Sequence, residues 1–183
     1  MAHKDRSSKS GRAQVPLERL RMLGDPALRA QTKEVSVFDA RLEKLATTML
    51  GVMYREEGVG LAAPQIGVLT RIMVWRHPDN EGEEHIFVNP HVVACSDERE
   101  TAKEGCLSVP DCSVEVERPI AVVVHAQDVV GTPIELEAEG LIARIVQHEI
   151  DHLDGRLILD RATPEERRRV LKELRERSLE LDQ

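Results

Sequence analysis

The 183-residue chain predicts an α+β fold with a mainly antiparallel or mixed sheet. Two observations carry this expectation. Helical periodicity is confined to the two ends of the chain, with short strand-like segments between them. Most connections between those segments are also too short for the crossovers that parallel strands need.

Residues 15–23 read as a short strand or extended segment, broken at Gly24-Asp25-Pro26. Asp25 can cap a short helix with Pro26 at its first position. Over residues 39–55, Leu42, Leu45, Ala46, Met49, Val52 and Met53 recur at helical spacing, and Asp39 suits the N-cap. Gly58 and Gly60 then force a loop. Residues 71–76, 85–89 and 92–95 are short and rich in β-branched side chains, so they read as strands. The apolar run 120–124, a turn near 128–132 and the alternating stretch 134–138 form a predicted β-hairpin. A second helix opens at Glu139 or Gly140, runs to about Leu153 and stops at Asp154-Gly155. A last helix, from Pro164 to about Leu181, carries Val170, Leu171, Leu174 and Leu181 among many charges.

Composition excludes several classes. The chain is 41% hydrophobic and 32% charged, as a globular domain is. Aromatics are only 2%, so Leu, Ile, Val, Ala and Met must build the core. A net charge of -8 gives no reason to expect sequence-specific nucleic-acid binding. No apolar run approaches the roughly 20 residues that span a bilayer, so no membrane partner is expected. Residues 1–14 are polar and lack the apolar stretch of a secretory signal. Their Arg and Ser content admits a transit peptide, but a disordered tail is the reading adopted, with 15–183 as a single catalytic domain. Cys95, Cys106 and Cys112 make an odd number, which favours a reducing compartment and free thiols. The bacterial cytoplasm is the expected setting, ahead of an organelle.

The chemistry concentrates in His148-Glu149-Ile150-Asp151-His152. Two imidazoles at i and i+4 share a helical face and can reach one metal ion, with a carboxylate beside them for proton transfer. Ile142, Ile145, Val146 and Leu153 mark this helix as deeply packed. An accidental HExxH is expected in about 3% of chains of this composition, so the spacing alone is moderately specific. The third ligand has several candidates. The metzincin pattern fails, because Ile158 stands where its last histidine should be. A thermolysin-like site could use Glu173 or Glu176, although acids are expected in a charged terminal helix anyway. Cys106, in the compact segment Glu104-Gly105-Cys106-Leu107-Ser108-Val109-Pro110, fits better. One thiolate and two imidazoles leave a fourth position open, as a catalytic site requires. Cys95 and Cys112 compete on residue type alone, and a free cysteine is often only a small buried filler.

Three segments together resemble the peptide deformylases: residues 58–67 (GVGLAAPQIG), 104–110 (EGCLSVP) and 147–155 (QHEIDHLDG). They occur in the family's order, and the likeness runs from about Leu20 to the terminal helix. The resemblance implies hydrolysis of the N-formyl group from the initiator methionine of nascent polypeptides, with release of formate. It implies sheets packed around a central HExxH-bearing helix. It also implies one divalent ion, usually Fe(II), with zinc, nickel or cobalt in some members. Matched residue by residue, Cys106, His148 and His152 bind the ion and Glu149 is the general acid and base. Gln65 and the backbone N–H of Leu107 stabilise the oxyanion. Gly60 pairs with the substrate backbone, and Val59, Leu61 and Leu107 border the methionine pocket. An HExxH zinc endopeptidase is the alternative; it would cleave internal bonds and would not need Cys106.

Two positions depart from common family patterns. Asp111 follows Pro110 where many relatives have glycine. Arg144, one turn before His148, holds a pocket-lining position that is apolar in some relatives. Its stem is expected to line the substrate pocket while its head finds water or an acid. Glu104, Arg118 and Asp151 match recurrent family positions and are candidates for orienting the ligands. In some relatives the terminal helix docks on the ribosome. Here its acids nearly balance its arginines, so a solvated surface helix is an equal reading.

Overall fold

The computed structural model describes residues 19–80 and 82–181. The tail expected over residues 1–14 and the start of the extended segment expected over 15–23 lie outside them. Residues 19–22 form no strand, but they are pinned by backbone bonds such as Arg21 N–H to the Gln65 carbonyl at 2.7 Å. A 3-10 turn, Pro26–Arg29, follows, with the Asp25 carboxylate accepting from Ala27 N–H. Then come α1 (Ala40–Arg55), β1 (Gly60–Ala62), a second 3-10 turn (Ala63–Ile66), β2 (Ile72–Arg76) and β3 (Glu84–Cys95). The chain continues as β4 (Arg99–Cys106), β5 (Val109–Pro119), β6 (Ala121–Gln127) and β7 (Pro133–Glu139). It ends with α2 (Gly140–Leu153), the short α3 (Ile158–Arg161) and α4 (Pro164–Leu181).

The strands form two sheets. One has five strands in the order β1-β2-β3-β6-β7; the other is the β4–β5 pair. Every strand pair is antiparallel, so the α+β expectation with antiparallel sheets and a C-terminal helix holds. The period-2 alternation of β2 explains how the larger sheet is covered on both faces at this strand. Ile72 and Val74 pack with Leu42, Met49 and Met53 of α1, while Met73 and Trp75 pack with Ala143, Val146 and Ile150 of α2. The two-stranded sheet has its own apolar cluster, in which Val114 and Val116 meet Ile158 and Leu159 of α3 and Val170 of α4.

The helix boundaries follow their caps. Asp39 accepts from Arg41 and Leu42 N–H to open α1. Gly155 ends α2 in the left-handed region at φ 72°, where a Cβ would lie 2.6 Å from the Arg29 carbonyl oxygen. Three readings need correction. Residues 85–89 and 92–95 are one strand with a register shift, because Asn89 adopts φ 52° and its side-chain amide bonds Val35 and Gln127. Gly60 opens the edge strand β1 rather than lying in a loop. The β4–β5 hairpin was not anticipated as a sheet, since β4 reads RETAKEGC and buries only Glu104 and Cys106.

Candidate metal centre and active site

The ligand candidates come from two elements. His148 and His152 project from the last turns of α2, a helix with ten buried residues. Cys106 closes β4, where the β4–β5 register shifts between Gly105 and Cys106 and re-aims the side chain. One ligating atom from each of Cys106, His148 and His152 falls within 4.8 Å of the others, and all three side chains are buried. Cys106 Sγ lies 3.2 Å from His152 Nε2. This is the only such group of metal-ligating side chains among the described residues. A thiolate with two imidazoles is a donor set for iron, cobalt, nickel or zinc rather than for magnesium or calcium.

The competing ligands are placed elsewhere. Cys95 is exposed. Glu173 pairs with Arg169 and Glu176 with Lys172 along α4. Cys112 is buried but does not join the group.

Electrostatics prepares the histidines differently. Burial, reinforced by the neighbouring His148, holds His152 well below the usual imidazole range and so keeps it neutral. At His148 burial opposes protonation, but hydrogen bonds to Cys106 and Glu104 outweigh it and raise the group. His148 Nδ1 lies 3.0 Å from Glu104 Oε2, a carboxylate orienting a candidate ligand. Burial would raise Glu104, yet His148 and Arg118 hold it down to about 2. Arg118 donates from Nε and Nη2 to Glu104 and from Nη1 to Asp151, which also accepts from Arg161. Arg161 was not singled out from the sequence; nothing in its local pattern marks it.

Glu149 stands beside the histidines with Oε2 buried and without a hydrogen-bond partner among the described residues. Burial raises its carboxyl to about 7. Gly60 is shaped by this side chain: a Cβ at residue 60 would lie 2.4 Å from Glu149 Oε1. Gln65 is fixed through Oε1, which accepts from Ala62 N–H at 2.8 Å, so its NH2 faces Ser108 Oγ at 3.3 Å and Cys106 Sγ at 4.0 Å. Val59, Gly60, Gln65, Cys106, Leu107, Arg144, His148 and Glu149 all line one cavity of about 770 Å³. Leu61 does not: strand alternation turns it away from α2 and buries it against α1. Leu141 and Ile145 join the lining from the Arg144–His148 face of α2. Their i, i+3, i+4 and i+7 spacing is the signal that could have found them.

The family model for polypeptide deformylase matches residues 17–168. The chain belongs to the peptide deformylase family. It is 47% identical over 150 residues to a peptide deformylase of Natranaerobius thermophilus, covering 81% of this chain and 94% of that one. Among solved structures, a peptide deformylase from Legionella pneumophila superposes with a TM-score of 0.84 at 38% identity, covering 91% of this chain and 98% of that one. A Plasmodium falciparum peptide deformylase gives 0.81 at 37%, covering 86% and 94%. Members of this family remove the N-formyl group from nascent peptides, and the endopeptidase alternative is not favoured. No described helix is long and apolar enough to cross a membrane.

Proposed function

We propose that this deformylase hydrolyses N-formylmethionyl nascent peptides with one divalent ion, natively Fe(II), held by Cys106, His148 and His152. Zinc, nickel and cobalt are substitutes. The observation that supports this best is the convergence of a sulfur, two ring nitrogens and an unpartnered buried carboxylate beside one cavity. When bound, the ion supplies Lewis-acid polarisation and brings the pKa of water toward neutrality. Glu149 takes the proton of the attacking water and returns it to the leaving amine, and burial of its carboxyl favours accepting that proton. The Gln65 NH2 and the Leu107 backbone N–H stabilise the charge that develops on the formyl oxygen.

The peptide adds to the free edge of β1, which pairs on its other side with β2. Gly60 lets its backbone approach closely, while Val59, Leu107 and the Arg144 stem border the methionine side chain. In this reading α2 is the central, HExxH-bearing helix, and residues 15–183 act as one catalytic domain. Its setting is the bacterial cytoplasm. α4 is a solvated surface helix rather than a ribosome anchor, a reading supported by the ion pairs of Arg168, Arg169 and Lys172 with acids one turn away.

The test is formate release from formyl-Met-Ala-Ser by Fe(II)-loaded protein under anoxic conditions. Turnover of the formylated peptide, with none of internal bonds in casein, is expected. Proteolysis of casein without formate release would refute the proposal.

A further inference from the structure

The candidate ligands sit on separate elements, Cys106 on β4 and the two histidines on α2. Their spacing therefore depends on what ties α2 to the β4–β5 sheet. Two ties lie toward β5, where Arg118 Nη1 donates to Asp151 and the Gln147 amide donates to the Pro119 carbonyl. Arg144, on α2 one turn before His148, makes the tie that reaches β4, the strand that carries Cys106. Its Nη1 donates to Glu104 Oε1 and to the Val116 carbonyl, each at 2.9 Å, and its Nη2 donates to the Glu100 carbonyl at 2.9 Å. One side chain thus reaches two residues of β4 and one of β5.

The Glu104 carboxylate is held at both oxygens. Oε1 takes Arg118 Nε at 2.5 Å and Arg144 Nη1 at 2.9 Å. Oε2 takes Arg118 Nη2 at 2.9 Å and His148 Nδ1 at 3.0 Å. Arg118 belongs to β5, the sheet partner of β4, so its bonds to Glu104 stay within one sheet, and its reach to α2 goes to Asp151 instead. From α2, Glu104 is met by His148 and by Arg144, and the Arg144 side chain is only 10% exposed. Its remaining surface lines the cavity proposed for the methionine side chain.

We infer that Arg144 is a positioning residue: it locks the helix-borne histidines to the strand-borne Cys106 and so pre-organises the ion's ligand set. This rests on the metal-centre reading above. A locked set binds its ion without the cost of ordering the two elements, whereas an untied set binds more weakly. Partners of ligating residues change metal affinity by about 10- to 100-fold. Arg144 acts one bond further out than Glu104, so the lower end of that range is expected.

The experiment is competition for Zn(II) against a chelator, with the wild type, Arg144→Met, Arg144→Lys, Glu104→Gln and the Glu104→Gln/Arg144→Met double variant. Methionine keeps an unbranched apolar stem in the cavity wall and removes the guanidinium. Arg144→Met should raise the Zn(II) dissociation constant by roughly 10-fold, and Arg144→Lys should recover part of that loss. In the Glu104→Gln background the Met substitution should add less than it does alone, because the two residues act through one contact. For a formyl-Met peptide at limiting metal, the fall in kcat should exceed any change in KM and should be reversed by added Zn(II). Unchanged Zn(II) affinity in a folded Arg144→Met protein, or strictly additive effects, would overturn the inference and leave the metal centre intact. Should the wild type take up no Zn(II) at all, the metal-centre reading fails first.

Discussion

The two sheets of this molecule divide its work. The five-stranded sheet is clamped between α1 and α2 at its β1–β2 end, where Met73, Trp75, Phe87 and Val88 fill the buried positions, while one face of β6–β7 stays exposed with pairs such as His125–Glu135. The β4–β5 pair instead buries charge: Glu104 and Arg118 lie on its inner face, and their ion pair has side chains only 5% and 4% exposed. A buried ion pair is weak evidence for stability, because desolvation offsets much of its attraction. The smaller sheet is better understood as a device for aiming Cys106 and His148, with the larger sheet supplying the cohesion.

The sharpest break of this division is Glu149→Gln. Formate release should fall by about 100- to 10,000-fold, while Zn(II) uptake is retained and stability does not drop, since a neutral amide replaces a buried carboxyl. Retained turnover would show that another group handles the proton. Gly60→Ala is expected to come next. The added Cβ would meet Glu149 at the cavity wall, and a displacement of about 1 Å there should lower kcat/KM by roughly 100-fold. A near-normal kcat/KM would mean that the β1 edge has slack that its close packing against Glu149 denies.

Within the larger sheet, Met73→Ala should lose about 2–5 kcal/mol in urea unfolding, with kcat/KM of the remaining folded enzyme within about twofold of wild type. A selective loss of activity at unchanged stability would erase the distinction between the two sheets. The smallest effect belongs to α4. The Arg168–Glu165 pair is more than two-thirds exposed on both sides, so Arg168→Ala should shift stability by no more than about 0.5 kcal/mol in the same assay.

The same contrast explains what the sequence made legible. α1, α2, α4 and the β6–β7 hairpin were readable because apolar periodicity and caps such as Asp39 and Gly155 agree with the tertiary packing. β4 was unreadable because its two inward positions are Glu104 and Cys106, chosen for the site and not for the core. β5 does carry an alternating signal, with Cys112, Val114, Val116 and Arg118 buried and Ser113, Glu115 and Glu117 exposed. An inward arginine and cysteine mask that pattern as a strand. At the site, the HExxH spacing brought out the helix-borne ligands, but choosing Cys106 over Cys95 and Cys112 rested on family resemblance. Nothing local in sequence could show that Arg144 reaches across to Glu100, Glu104 and Val116, since that contact depends on how α2 crosses the smaller sheet.

X-ray absorption at the metal edge of the loaded wild-type enzyme tests the central claim most directly. With zinc, one sulfur near 2.3 Å and two imidazole nitrogens near 2.0–2.1 Å are expected, with a light atom completing the shell. A first shell without sulfur, or one closed by four protein ligands, would contradict the account.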